Sequence, residues 1–157
     1  MALRTKLVFS LFLISILSSC SKSTADVEGF IFGTFAGECF GDCVNIYKLT
    51  ADKLWQDQNR HLPGSSFSGD QFDFESLSDS KYELVADFAD DFPRALLEET
   101  DNQIGCPDCY DQGGVYIGWY EDGNYRSWTI DVSKDDIPEY LHDFLDQLQL
   151  NMQLLQQ

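Results

Sequence analysis

The side chains with the most chemistry in this sequence are four cysteines held in two short knuckles. Cys39-Phe40-Gly41-Asp42-Cys43 sets two thiols four positions apart, and Cys106-Pro107-Asp108-Cys109 sets two more three positions apart. The second knuckle lies inside Gly105–Gly114, which also carries Asp108, Asp111, Gly105 and Gly113. Three chemistries fit such spacing. In an oxidising compartment an even set of cysteines becomes disulfides by default. Alternatively, C-x3-C with C-x2-C could give zinc four thiolates, with Gly41 and Pro107 suited to knuckle turns. Finally, Cys-Pro-Asp-Cys has the spacing of a thiol-redox pair. That role needs the first cysteine at a helix N-terminus, where the dipole lowers its pKa, and here Gly113, Gly114 and a strand pattern follow. Disulfides are the expectation, and a metal-binding or thiol-redox use of Cys39, Cys43, Cys106 and Cys109 is the alternative.

The compartment decides among these, and the first residues speak to it. Met1–Lys6 holds Arg4 and Lys6 and no acid, Leu7–Leu17 is almost wholly apolar, and Leu17-Ser18-Ser19-Cys20 follows. The apolar run is too short to span a bilayer but suits the core of an export signal. The last four residues resemble the lipobox of bacterial lipoproteins, in which the cysteine is acylated and exposed by cleavage. The resemblance implies removal of residues 1–19 and lipidation at Cys20; the small, polar residues that follow suit a tether, which puts the lipidated cysteine and tether at 20–28 and the folded domain at 29–157. Several acyl chains anchor stably, since each buried methylene adds about 0.8 kcal/mol. Ser21, a residue other than aspartate after the anchor, is similar to the enterobacterial pattern for the outer membrane. Lipid anchoring in the bacterial cell envelope is therefore expected, with the membrane reached through the N-terminal lipid.

The spacing leaves the connectivity open. Pairing within each knuckle would only stiffen two turns. Cross-pairing would close a loop of over sixty residues, a constraint worth about 4 kcal/mol by chain entropy. The expectation leans to the cross-link.

Charge excludes one class of partner. The chain has 27 Asp and Glu against 10 Lys and Arg; loss of Arg4 and Lys6 with the leader leaves eight bases and a net charge of −19. Such a surface repels nucleic acid and anionic headgroups. The acids are scattered, which suits a solvated shell better than a cation trap. His61 falls in a Pro/Gly/Ser loop and His142 beside an apolar stripe, so neither is read as a ligand. No P-loop, G-x-G-x-x-G or EF-hand loop occurs, and no catalytic set stands out. Trp55, Trp119, Tyr125 and Trp128 could line a binding face, although half-buried sheet packing is the commoner use of such residues. The chain is thus expected to bind or assemble without catalysis, to need no cofactor (zinc in the alternative), and to have a protein or small-molecule partner that composition does not name.

Strand patterns run through Gly29–Phe35, Val44–Leu49 and Lys53–Asp57. The clearest pair is Val115–Tyr120 with Tyr125–Ile130 around Asp122-Gly123, a strong hairpin signal. Tyr82, Val85, Phe88 and Phe92 recur at helical spacing after a Ser78 cap and a Leu77 staple, and Pro93 ends that helix or starts a short one over Arg94–Glu99. Ser133 and Asp136 resemble a capping box before Pro138, and Ile137, Tyr140, Leu141, Phe144, Leu145, Leu148 and Met152 form a broad helical stripe. These elements predict one α+β domain of two layers: an antiparallel sheet of about five strands with two helices on one face.

Two short stretches carry a family resemblance. Cys39-Phe40-Gly41-Asp42-Cys43-Val44-Asn45-Ile46-Tyr47 resembles a bacterial domain family of unknown function with the signature Cys-Phe-Gly-x-Cys-Pro-x-Tyr. It departs at Val44, where proline is the pattern, and Tyr47 stands one place late. Gly105–Gly114 is similar to a Gly-Cys-Pro-Asp-Cys-x-Asp-Gln-Gly-Gly element of uncharacterised bacterial lipoproteins. The resemblance covers about a tenth of the chain and implies an envelope-lipoprotein lineage without an activity.

Overall fold

The computed structural model describes residues 29–61 and 72–157, so the leader and Cys20 lie outside the described residues. Seven strands form one sheet: β1 (Gly29–Phe35), β2 (Val44–Leu49), β3 (Leu54–Asp57), β4 (Phe74–Ser76), β5 (Gln103–Ile104), β6 (Gly114–Glu121) and β7 (Asn124–Asp131). Their spatial order is β4-β3-β2-β1-β6-β7-β5. Five ladders are antiparallel, and β5 runs parallel to β7 through Gln103↔Thr129 and Ile104↔Ile130. The fold is α+β, as the patterns predict. The sheet corrects the expectation of about five antiparallel strands, being larger and mixed. Both added strands are edge strands of two or three residues, too short to show a period. Tertiary contacts make them: Asp57 Oδ1 accepts the Asp73 N–H beside β4, and Asn102 O accepts the Thr129 N–H beside β5.

Alternation sorts the sheet into two faces. Phe30, Phe32, Tyr47, Leu49, Leu54, Val115, Ile117, Trp128 and Ile130 point to one side. There they form one core with Val85, Phe88, Phe92 and Leu96, and with Leu141, Phe144, Leu145, Leu148 and Met152 of the C-terminal segment. Ile31, Phe35, Val44, Ile46 and Tyr116 point to the other side, where Phe72, Phe74, Tyr120 and Tyr125 pack on them.

The helices differ from their stripes. Helix α1 is only Asp79–Glu83; the chain then turns into single 3-10 turns at Phe88–Asp91 and Arg94–Glu98. Ser78 makes no side-chain cap, its hydroxyl lying 2.9 Å from that of Ser80. Asp87, Asp90 and Asp91 crowd what would be the C-terminal end of a longer helix, where carboxylates oppose the dipole, and Asp is a poor helix former. The apolar stripe still reaches the core, because 3-10 turns keep neighbouring spacing. At the other end Ser133 does not cap either, and Pro138 holds Ile137 extended (φ −128°, ψ 156°), so helix α2 spans only His142–Leu155. Leu148–Leu154, which also alternates like a strand, is helical throughout.

Candidate functional site

Register brings the two knuckles to one end of the sheet. Phe35, the last residue of β1, pairs with Val44 on one side and Gly114 on the other. The β1–β2 connection and the loop entering β6 therefore leave the sheet side by side. Each is closed by its own disulfide: Cys39–Cys43, with Cα atoms 5.8 Å apart, and Cys106–Cys109, at 5.5 Å. The four cysteines are thus disulfide-bonded, as expected, but the expected cross-link between the knuckles is corrected. The physical reason is that the sheet already joins the loops, while separations of four and three residues let each pair meet at ordinary disulfide Cα spacing.

Asp108 ties the loops together. Its Oδ2 accepts the Gly37 N–H at 2.6 Å across the gap, and its Oδ1 accepts the Gly113 N–H at 3.0 Å. The Asp108 N–H in turn donates to Gly113 O at 2.9 Å. Beneath, Asp131 is 2% exposed and its carboxylate accepts the N–H groups of Cys106 and Ser133, each at 2.9 Å. Gln112 bridges within the loop, donating to Cys106 O at 2.9 Å and accepting the Tyr110 N–H at 2.7 Å. Gly105 has φ +71°, and a Cβ there would lie 2.7 Å from that of Asp131, so conformation and space both demand glycine. In the first loop the Ala36 N–H donates to Cys43 O at 2.9 Å, and Arg60 pairs with Asp42.

The result is a braced platform with two aromatic side chains outside it. Phe40 is fully exposed and Tyr110 is 86% exposed, beyond every other large hydrophobic residue described. The sequence reading passed over both. For Phe40 the available signal was that a loop closed between Cys39 and Cys43 cannot fold its own aromatic back into a core; Tyr110, just after Cys109, carries no such signal. The aromatics it did single out are packing residues. Trp128 is buried, the Trp119 ring stacks on Phe92 with centroids 4.1 Å apart, and Tyr125 stacks on Tyr120 at 4.3 Å. Trp55 is half-buried on β3.

The remaining candidates stand apart. His142 Nε2 lies 3.3 Å from Ile137 O, and His61 is exposed where the first described segment ends. Among the described residues no group of three or more His, Cys, Asp or Glu side chains converges. A concavity of about 430 Å³ at the opposite end of the sheet is lined by Phe30, Leu49, Arg94 and Trp119. Its one basic group is engaged: Arg94 donates to Glu121 at 2.8 Å and lies 4.9 Å over the Trp119 ring. No helix among the described residues is long and apolar enough to cross a membrane. No family model matches the chain, and no curated protein matches it.

Proposed function

We propose that this chain is a bacterial envelope lipoprotein, of the lineage its two knuckle motifs resemble. In this reading it is lipid-anchored at Cys20, on the outer membrane, and its domain acts by binding or in assembly without catalysis. The carrying observation is the platform of two disulfide-closed loops that holds Phe40 and Tyr110 in solvent. Disulfides of this kind persist outside the cytoplasm. Exposed aromatics on a rigid base are the usual anchors of protein interfaces. Direction supports the same reading: β1 begins nine positions after Cys20 and runs its seven residues, about 20 Å, towards the loops. The loop end is thus the end of β1 further along the chain from Cys20.

The test is expression with export, comparing the natural chain with Cys20→Ala. The natural chain should partition into a detergent phase and label with palmitate, and the variant should do neither. A chain that stays aqueous and unlabelled with Cys20 intact would overturn the reading.

A further inference from the structure

If the disulfide-closed end is the binding end, as proposed above, its chemistry narrows the partner. We infer that it docks a basic, extended segment of another protein, with Phe40 and Tyr110 as anchors and Glu38 and Asp111 as charge partners.

The two rings can serve one ligand. The Gly37 N–H and the Asp108 carboxylate are hydrogen-bonded, Phe40 is three residues beyond Gly37, and Tyr110 is two beyond Asp108. Even fully extended at about 3.5 Å per residue, these steps, the hydrogen-bonded gap and the two side chains together keep the rings within about 30 Å of each other. A standard interface of about 800 Å² per partner is roughly 30 Å across, so both anchors fall inside one footprint. The loops are cross-linked beforehand, and docking therefore loses little loop entropy.

Charge selects the occupant. The chain carries a formal charge of −17, so a second copy, a nucleic acid or an anionic bilayer meets like charge. Within the platform, Asp42 is paired with Arg60 and Asp108 is occupied by two backbone N–H groups. Glu38, two residues before Phe40, and Asp111, next to Tyr110, are exposed and have no ion pair or hydrogen bond among the described residues. A lysine or arginine stem laid over either ring places its cation on the aromatic face and beside a free carboxylate, which together recognise a basic segment. A neutral ligand would leave both carboxylates unused.

The experiment uses the mature lipidated protein in a neutral detergent with disulfides intact. The probe is a fluorescein-labelled dodecapeptide of alternating lysine and glycine, followed by anisotropy near physiological ionic strength. Phe40→Ala and Tyr110→Ala should each weaken binding about threefold, and together about tenfold, with net charge unchanged. Glu38→Gln with Asp111→Asn should weaken it more than Glu83→Gln with Glu98→Gln, an equal charge change elsewhere. Ring variants that bind like the parent would show that net charge alone holds the peptide, and the inference would fail. It would also fail if the ring variants lost retention of an uncharged oligosaccharide, or self-association, while peptide binding stayed unmoved. The intact mass of the same sample reports the Cys20 lipid separately. A lipidated protein indifferent to ring removal therefore sinks only this inference, whereas a sample without lipid sinks the lipoprotein reading.

Discussion

Asp131 carries the platform on a single side chain. Buried at the end of β7, it accepts the N–H groups of Cys106 and Ser133 and lies against the Cβ position that Gly105 leaves empty. Asp131→Ala removes the acceptor of two part-buried backbone donors, which should cost about 1–2 kcal/mol in urea unfolding at unchanged m-value. Gln112→Ala, whose partners are more exposed, should cost about 1 kcal/mol. The sequence patterns do not point to Asp131, because nothing in a lone aspartate tells which backbone groups will reach it. Tyrosines on the other face set an alkaline limit. Burial, first, raises the pKa of both Tyr116 and Tyr125 above 10, and their hydroxyls are hydrogen-bonded to each other. The unfolded chain ionises near pH 10 while the folded one keeps its protons. Their stabilising contribution is therefore complete below pH 10 and is lost as pH rises from there towards the folded values. Stability should fall by about 1.4 kcal/mol per pH unit for each such tyrosine, and Tyr116→Phe with Tyr125→Phe should flatten that slope in alkaline unfolding curves.

Elements were legible where a pattern was long. β1, β2 and the β6–β7 hairpin show through alternation and the Asp122-Gly123 turn, with φ 52° and 75° at those two residues. Helix α2 shows through its stripe, and Leu148, fully buried at its centre, should cost about 2–5 kcal/mol when cut to alanine. The Tyr82–Phe92 stripe predicts a helix that Pro93 ends, because its apolar spacing is helical; what breaks it after Glu83 are acids at the wrong end. The guanidinium of Arg126 donates to the Leu97 and Glu99 carbonyls, tying the end of the last 3-10 turn to β7. Disulfide pairing was illegible for a related reason: spacing allows a local pair but does not exclude a distant one. Local closure makes a quantitative difference. Loops of three and four residues constrain the unfolded chain by only about 2 kcal/mol each, half the value of a long cross-link. Reduction should therefore weaken the domain in chemical unfolding without abolishing the fold, whereas a domain that unfolds outright on reduction would contradict local pairing.

At the scale of the molecule, one sheet divides the work. One face holds the α2 and 3-10 core, the other a tyrosine-rich layer, and the loop end carries the two solvent aromatics. The two-layer α+β plan followed from helix stripes and strand patterns, which report burial directly. The candidate site did not follow, because exposure of Phe40 and Tyr110 comes from how their loops leave the sheet, and that has no period. The central claim is an exported lipoprotein whose four domain cysteines form two local disulfides. Its most direct test is intact mass of the full chain after export, native and denatured, with and without a thiol-alkylating reagent, followed by peptide mapping. The account predicts loss of residues 1–19, acyl mass on Cys20, four missing hydrogens with no alkylation, and linked pairs Cys39–Cys43 and Cys106–Cys109. An uncleaved, unacylated chain, or a native mass raised by one zinc with four thiols alkylatable after denaturation, would contradict it.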